Sequence, residues 1–409
     1  MAETADVVVI GAGAVGSAIA YYLADAGADV VLVEREAIAS GASTHATGSF
    51  SLLATDFDRP DHLQLGVASY KLARDLLPRL KELTNVDMLY QYRPAVRLAL
   101  EESEVRLIQE QLEWQTPLVP AKWITGEEVR AIEPRLSPNI LGGAYQDESL
   151  QLDSGRFTLA LATGAERRGA RIVLRKVTGL ERSNGKVTGV RHTTGTIAAP
   201  NVVLAMGPWA ALASPWLGFD VPVRPLWGER LLLQYDGPPL PMLVASPRRG
   251  HMISRLDGFL SVGSTAGRDL DDQNVYVRDL PENEIFDTRP TEAALMELLQ
   301  RAIDVFPAVE EAGVAQQLAG VRPLSPDRAP IIGPVPGVAG AYLATGHGTK
   351  GIHLAPATGK IIADLVLRGS TDVDAPLEPI SPARFTGREP SGATAPLEEV
   401  PAAMRVQDD

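Results

Sequence analysis

Three glycines near the N-terminus, Gly11, Gly13 and Gly16 in VVVIGAGAVGSAIAYYLADAGADVVLVER, are spaced to receive a diphosphate. Gly11 allows a tight turn, Gly13 lets a pyrophosphate approach the backbone, and Gly16 lets a helix pack on the preceding strand. Ala14 and Val15 lie in the first turn of that helix, whose free N–H groups and positive end face an anion. Glu34 closes the next strand, where a carboxylate accepts hydrogen bonds from a ribose diol. The acid favours an unphosphorylated ribose, so FAD or NAD rather than NADP. A second glycine-rich stretch, GHGTKGIHLAPATGK (346–360), lacks the Gly-Lys-Ser/Thr ending of a triphosphate loop.

These residues need elements to position them. DVVVI (6–10) reads as a buried parallel strand, 14–26 has helical spacing, and DVVLV (29–33) reads as a second strand, together a βαβ unit. Small residues dominate 35–60, which reads as loop. Leu63, Val67, Tyr70, Leu72, Leu76, Leu77 and Leu80 recur at three- and four-residue steps and predict an amphipathic helix over 62–83. Short strands and turns are expected over 86–100 and 117–145, around a charged helix at 101–115. A further helix is expected within 152–170, then strands near 172–175, 187–192 and 202–205, with RSNGKV as a hairpin turn. Residues 221–265 read as antiparallel strands, 291–306 as helix, 341–345 as strand and about 356–368 as a closing helix. The fold class expected is α/β, a Rossmann-like domain joined to an α+β domain with a mixed sheet. From 371 onward Pro, Ala and acidic residues prevail without apolar periodicity, so 371–409 reads as an extended or disordered tail, with packing on the surface in places left open.

Bulk properties narrow the classes. A chain of 409 residues suits two interlocked domains, and 45% hydrophobic with 22% charged residues is ordinary globular composition. A net charge of −13 argues against nucleic acid or an anionic membrane as the main partner. The absence of cysteine excludes disulfides, thiolate metal sites, iron–sulfur clusters and a cysteinyl link to a cofactor. The apolar stretch 7–24 has no basic region before it, and no run approaches a membrane span, so a cytoplasmic location is expected. The six histidines, at 45, 62, 192, 251, 347 and 353, include no HExxH pattern, and no metal site is expected.

REAIASGASTHATGSF (35–50) is a small-residue loop after the ribose acid, and VVLAMGPWA (202–210) runs a hydrophobic strand into a Gly turn. Together with AGVRPLSPDRAPIIGPVPGVAGAYLATGHGTKGIHLAPATGK, they make the chain resemble the FAD-dependent D-amino-acid oxidase family, which includes glycine and sarcosine oxidases, over roughly residues 5–370. The resemblance implies noncovalent FAD on a glutathione-reductase-type βαβ fold. It implies an FAD-binding domain from 1–85, 145–221 and 319–370, and a substrate domain from 86–144 and 222–318. In that family the first loop lies along the diphosphate and flavin, so Arg35, Ser40, Gly41, Ala42, Ser43, His45, Ala46 and Thr47 are expected to touch the cofactor. Ala205, Gly207 and Trp209 are expected on the adenosine side, Val177 is also expected to touch the cofactor, and Gly346, Gly348, Thr349, Lys350 and Gly351 are expected at the late loop.

The family's chemistry passes a hydride from the α-carbon of an amine to flavin N5, so the protein must hold that carbon against the ring. Arg322 in GVRPLSPDRAP matches the family's substrate-carboxylate arginine; pairing with Asp327 is the plainer alternative. Lys350 matches a lysine that sarcosine oxidases place near the flavin pyrimidine, where a helix starting near Pro356 would add its positive end. His251 falls where glycine oxidases place a substrate-contacting tyrosine, and an imidazole can accept or relay the amine proton. His347 is expected to shape the late loop. Thr349 replaces the late-loop arginine of glycine oxidases, and Ser261 stands where sarcosine oxidases carry a lysine used with oxygen. The activity expected is oxidation of the C–N bond of an amino acid or N-substituted amino acid, with oxygen or a redox partner as acceptor. A 2-hydroxy-acid dehydrogenase, the flavin subunit of a larger dehydrogenase and a homo-oligomer stay open as alternatives.

Overall fold

The site lies where the C-terminal strand ends of one sheet meet residues on a face of a second sheet. The computed structural model describes residues 3–53, 57–266 and 273–387. The first sheet has six strands in the order Ile331–Pro334, Ala341–Thr345, Asn201–Leu204, Val7–Ile10, Val30–Glu34, Arg171–Leu174. All its pairings are parallel except that between the first two strands. Its central strands are buried along their whole length, which is why they read as unbroken β-branched runs. Val7, Val9, Val30 and Leu32 pack into the core formed with the helices Ala14–Asp25, Pro60–Thr84, Ser154–Arg167 and Gly351–Arg368. Val8, Ile10, Val31 and Val33 face the other way, onto Val177, Leu180, Val187 and Val190. Those last four belong to a four-stranded sheet, Glu3–Thr4, Gly195–Ala198, Lys186–His192 and Val177–Ser183. Each fully buried Val or Ile contributes about 1.5–3 kcal/mol, so the layers are held from both faces of one strand set. Asn184 and Gly185 both take positive φ, 49° and 76°, as a tight primed hairpin turn requires.

The second sheet has eight strands, ordered Gly313–Leu324, Arg224–Gln234, Phe259–Gly263, Gly250–Ser254, Leu243–Ser246, Gln91–Ala99, Gly142–Gln151, Lys122–Thr125. Its register lays out two rows. Val96, Val244, Met252, Val262 and Leu231 stand side by side across five strands. They form a core with Leu298, Ala302 and Val305 of the helix Glu292–Val305. One residue along each strand, Arg97, Ala245, His251, Gly263 and Arg230 form a second row. Side chains alternate between sheet faces, so this row points away from the core and toward the nucleotide-binding side.

One expectation needs correction. The closing helix begins at Gly351, not near Pro356, which lies inside it. Proline removes a backbone donor and crowds the preceding turn. Ser69 meets that defect: its hydroxyl donates to the His353 carbonyl (2.6 Å) and accepts from the Ala357 N–H (3.1 Å). The tail is packed at its start, where Ile380 and Phe385 are buried and Arg384 makes a two-pronged pair with Asp327 (2.7 and 3.0 Å). Residues 388–409 of the expected tail lie outside the described residues.

Candidate active site

A cavity of about 410 Å³ opens at the C-terminal ends of the parallel strands, beside Ile10, Glu34, Ala205 and Thr345. Ligands in open α/β sheets sit at this edge. Gly11, Gly13, Ala14, Val15 and Gly16 line it. A Cβ on Gly11, whose φ is +104°, would fall 2.4 Å from the Ala205 carbonyl oxygen; one on Gly16 would fall 1.9 Å from the Gly11 carbonyl oxygen. The turn therefore tolerates no side chain at either position. The buried Glu34 carboxylate accepts the N–H groups of Ala12 (2.8 Å), Arg35 (2.7 Å) and Glu36 (2.9 Å), which fixes it against the turn. Ser43 Oγ accepts the Ala14 N–H at 2.9 Å and clips the small-residue loop to the helix N-terminus. At the far end the Arg35 guanidinium stacks 4.0 Å from the Trp209 ring centroid. Trp209 Nε1 donates to the Glu284 carbonyl at 2.8 Å.

A smaller cavity of about 110 Å³ adjoins the first and shares His45, Ala46, Arg230, Arg322, Thr349 and Ile352 with it. Its far wall includes His251, Arg97 and His353. The paired strands Arg224–Gln234 and Gly313–Leu324 carry Gly228 opposite Gly320. A Cβ on Gly228 would strike the Arg322 guanidinium at 2.1 Å, and one on Gly320 would strike the His45 ring at 2.8 Å. This glycine pair leaves the room in which Arg322 and His45 meet. Arg230 is held by neutral oxygens, donating to His45 O (2.8 Å), Thr44 O (3.4 Å) and Ser261 Oγ (3.2 Å). Burial pulls its guanidinium down to about 10. Burial, with Arg322 and Arg230 nearby, pushes the His251 imidazole down to about 3, so it is neutral at physiological pH. The same causes lower His45. His251 Nε2 is buried and has no hydrogen-bond partner among the described residues.

The model of the FAD-dependent oxidoreductase family matches residues 6–365. The chain belongs to this family. It is 30% identical to the glycine oxidase of Geobacillus kaustophilus (strain HTA426) over 390 residues, 95% of this chain and 99% of that protein. The crystal structure of glycine oxidase from Geobacillus kaustophilus superposes with a TM-score of 0.85 at 28% identity, covering 94% of this chain and all of that one. L-proline dehydrogenase from P. horikoshii superposes with a TM-score of 0.82 at 25% identity, covering 94% and 98%. FAD is thus the cofactor of this FAD-dependent oxidoreductase, and the cradle fits it: a side-chain-free glycine turn, an open helix N-terminus and a fixed acid at the strand end.

Most residues expected to touch FAD line the large cavity. Besides the glycine turn these are Glu34, Arg35, Ser40, Gly41, Ala42, Ser43, His45 and Ala46. Val177, Ala205, Gly207 and Trp209 line it too, as do Gly348, Thr349 and Gly351. Arg322 lines both cavities, while Thr47 and His251 line the small one. Gly346 and Lys350 line neither. Gly346, with φ +72°, packs on Ile331 and Ser325. The Lys350 ammonium lies 5.8 Å from the Phe57 ring centroid and acts on the Asp58 carboxyl. Burial alone would raise Asp58, but its hydrogen bond to His62 (2.7 Å) and the Lys350 charge hold it well below the carboxylate range. His347 is buried, meets Thr358 Oγ1 at 3.0 Å, and is pushed down to about 3 by burial. Asp327 pairs with Arg384.

Sequence reasoning missed Arg230, Arg97, His353 and Glu284. The signal for the two arginines was available: each is a charge inside an apolar strand run, PAVRLAL and GERLLLQ. Such a charge is buried only with a reason. Among the described residues no helix is long and apolar enough to cross a membrane.

Proposed function

We propose that this protein uses FAD to oxidise the C–N bond of an amino acid or N-substituted amino acid. The observation that carries this reading is the small cavity opening onto the nucleotide groove, with a guanidinium and a neutral imidazole on its wall. When bound, FAD supplies the acceptor for two electrons and the α-hydrogen. Arg322 grips the substrate carboxylate with its planar fork, a geometry lysine cannot reproduce. His251, neutral and buried, accepts a hydrogen bond from the amine through Nε2 and steers its lone pair toward the α-carbon. The leucine- and valine-rich core behind the eight-stranded sheet keeps that row of polar side chains rigid. In this proposal the six-stranded sheet with 1–85, 145–221 and 319–370 forms the FAD-binding domain, and 86–144 with 222–318 the substrate domain. Gly346 and Lys350 act through the shape of the late loop. The electron acceptor is oxygen or a redox partner, and the location is the cytoplasm, which cell fractionation tests.

The experiment is to purify the yellow protein, remove oxygen and add a panel of amines and amino acids. Bleaching by an amino acid supports the proposal. Bleaching only by a 2-hydroxy acid replaces it with the hydroxy-acid dehydrogenase reading. Repeating the assay with oxygen and with an artificial acceptor separates oxidase from dehydrogenase.

A further inference from the structure

Ahead of the helix Glu292–Val305, residues 278–291 run without helix or strand, and none of them is buried. Both ends of this stretch are tied to one strand of the eight-stranded sheet, Arg224–Gln234. At its start the Arg278 N–H donates to the Pro225 carbonyl (2.8 Å), beside a bridge between Val277 and Leu226. At its finish Thr291 donates its N–H (2.9 Å) and its hydroxyl (2.8 Å) to the buried Glu229 carboxylate. A stretch of chain that buries nothing opens locally at little cost unless something holds its middle. Here the middle is held by residues of the nucleotide groove. The Glu284 carboxylate meets Lys176 Nζ at 3.0 Å and the Arg35 guanidinium at 3.5 Å. The Glu284 carbonyl accepts from Trp209 Nε1 (2.8 Å) and from Arg35 Nη2 (3.3 Å). Two residues on, the Phe286 ring lies 5.2 Å from the Trp209 ring, centroid to centroid. Glu284 takes φ +59°, a conformation that a residue with a side chain keeps only where its contacts compensate.

We infer that residues 278–291 are a strap across the adenosine end of the FAD groove, and that Glu284 is the latch that sets how long FAD stays bound. Arg35, Lys176, Trp209 and Glu284 all line the large cavity. Arg35 follows the ribose acid Glu34 in the chain, and the Arg175 N–H donates to the Glu34 carbonyl (2.7 Å), which sets Lys176 beside it. The strap therefore crosses the end of the groove that the ribose acid marks. The three latch side chains are 22%, 23% and 47% exposed for Glu284, Arg35 and Lys176. One such half-exposed ion pair contributes little by itself. Here two pairs share one carboxylate and act together with two bonds to the carbonyl of the same residue. The strap is already anchored at both ends, so ordering its middle costs little further chain entropy. Lys176 acts through Glu284 and not on the cofactor. The latch concerns retention of FAD alone, so it stands whichever amine is oxidised.

The test times the loss of FAD from the holoenzyme. Unbound flavin is removed, the protein is diluted, and the flavin still with the protein is read by absorbance after ultrafiltration at intervals. Glu284→Gln keeps the size of the side chain and removes its charge, and should release FAD about tenfold faster, the worth of two partly exposed ion pairs. Lys176→Met removes one of the pairs and should release it about threefold faster. The double variant should be no faster than Glu284→Gln, because Lys176 then has nothing left to act on. Raising the salt from about 0.05 to about 0.5 M should speed release from the parent, since these pairs are open to screening, and Glu284→Gln should lose most of that response. Unchanged release from Glu284→Gln overturns the latch. So do additive effects in the double variant, which would mean that Lys176 grips FAD directly. The salt series on the parent needs no variant, so a poorly folded Glu284→Gln leaves the test intact, and release from the parent that salt does not speed also overturns the latch.

Discussion

The nucleotide groove is shaped mainly by backbone, while the small cavity beside it is lined by the long side chains Arg97, Arg230, His251 and Arg322 from four strands. Gly11 and Gly16 act through what they lack, because a Cβ on either would collide with a carbonyl oxygen. Glu34 ties the turn to its own strand end, accepting the backbone N–H of Ala12 in the turn and those of Arg35 and Glu36 beside it. In the small cavity Arg97, His251 and Arg230 come from strands far apart in the chain, and only sheet pairing makes them neighbours. A backbone site is rigid by construction and tolerates no added atoms. A side-chain site is tunable, because each strand can change its one inward residue without disturbing the row behind it.

The comparison predicts where a single small side chain does most damage. Gly16→Val puts branched carbon where a Cβ already falls 1.9 Å from the Gly11 carbonyl oxygen, so the helix must move off the strand. FAD affinity should fall by about 100-fold or more, ~2.7 kcal/mol. The flavin-to-protein absorbance ratio after gel filtration reads this directly. A variant that keeps stoichiometric FAD would break the assignment of this turn to the diphosphate.

Arg322→Met should be nearly as costly, but to substrate instead. Removing a charged, two-pronged partner in a desolvated site costs about 2–3 kcal/mol, so kcat/KM should drop by roughly 100-fold, mostly through KM. Steady-state kinetics on the flavin-loaded variant measure it. A loss confined to kcat would move Arg322 from substrate binding to the chemical step.

The same contrast explains what was legible. A glycine motif is local: strand, turn, helix and acid fall within 34 residues, and the residue types state their own reason. Strand alternation was also legible in PAVRLAL and GERLLLQ, where a charge interrupts apolar residues. What no stretch of sequence states is which strands pair, and in which register. Arg97 becomes the neighbour of Ala245, and Ala245 of His251, only through a parallel and then an antiparallel pairing. Lys350 shows the complementary limit. Its loop borders the large cavity through Gly348, Thr349 and Gly351, but a short 3₁₀ turn over Gly348–Lys350 sets the direction of the Lys350 side chain, toward Phe57 and Asp58.

A pH experiment sharpens the reading of His251. Its folded pKa is depressed to about 3, against about 6.5 unfolded. Between these values the unfolded chain binds a proton that the native protein refuses, so stability falls as pH drops through 6.5 and the loss is complete by about 3. At pH 5 one such histidine costs roughly 2 kcal/mol. Buried His347 and His353 add loss of the same sign. Urea unfolding at pH 7.5 and 5.0 should show His251→Gln shrinking the difference by about that amount. An undiminished difference would mean that native His251 carries the proton. In activity, kcat/KM should show no ionisation of His251 near 6.5.

The smallest effect on catalysis is expected at Lys350, which lines neither cavity. Lys350→Met should leave KM and the rate of flavin reduction within about twofold, since a charge outside both cavities offers no contact that strengthens in the transition state. The loss should appear in stability. Asp58 keeps its hydrogen bond to His62 but loses the ammonium that helps hold its carboxyl low, a change of about 1 kcal/mol for one partly buried charge. Because the folded Asp58 pKa is depressed, this contribution is present above the unfolded carboxyl value near 3.8 and disappears as pH falls below it. The variant should therefore be less stable than the parent at pH 7 and converge on it in acid. If flavin reduction instead slows tenfold while stability holds, the late loop reaches the reacting end of the cofactor through Lys350, and the division between a backbone-built groove and a side-chain-built cavity has a third member.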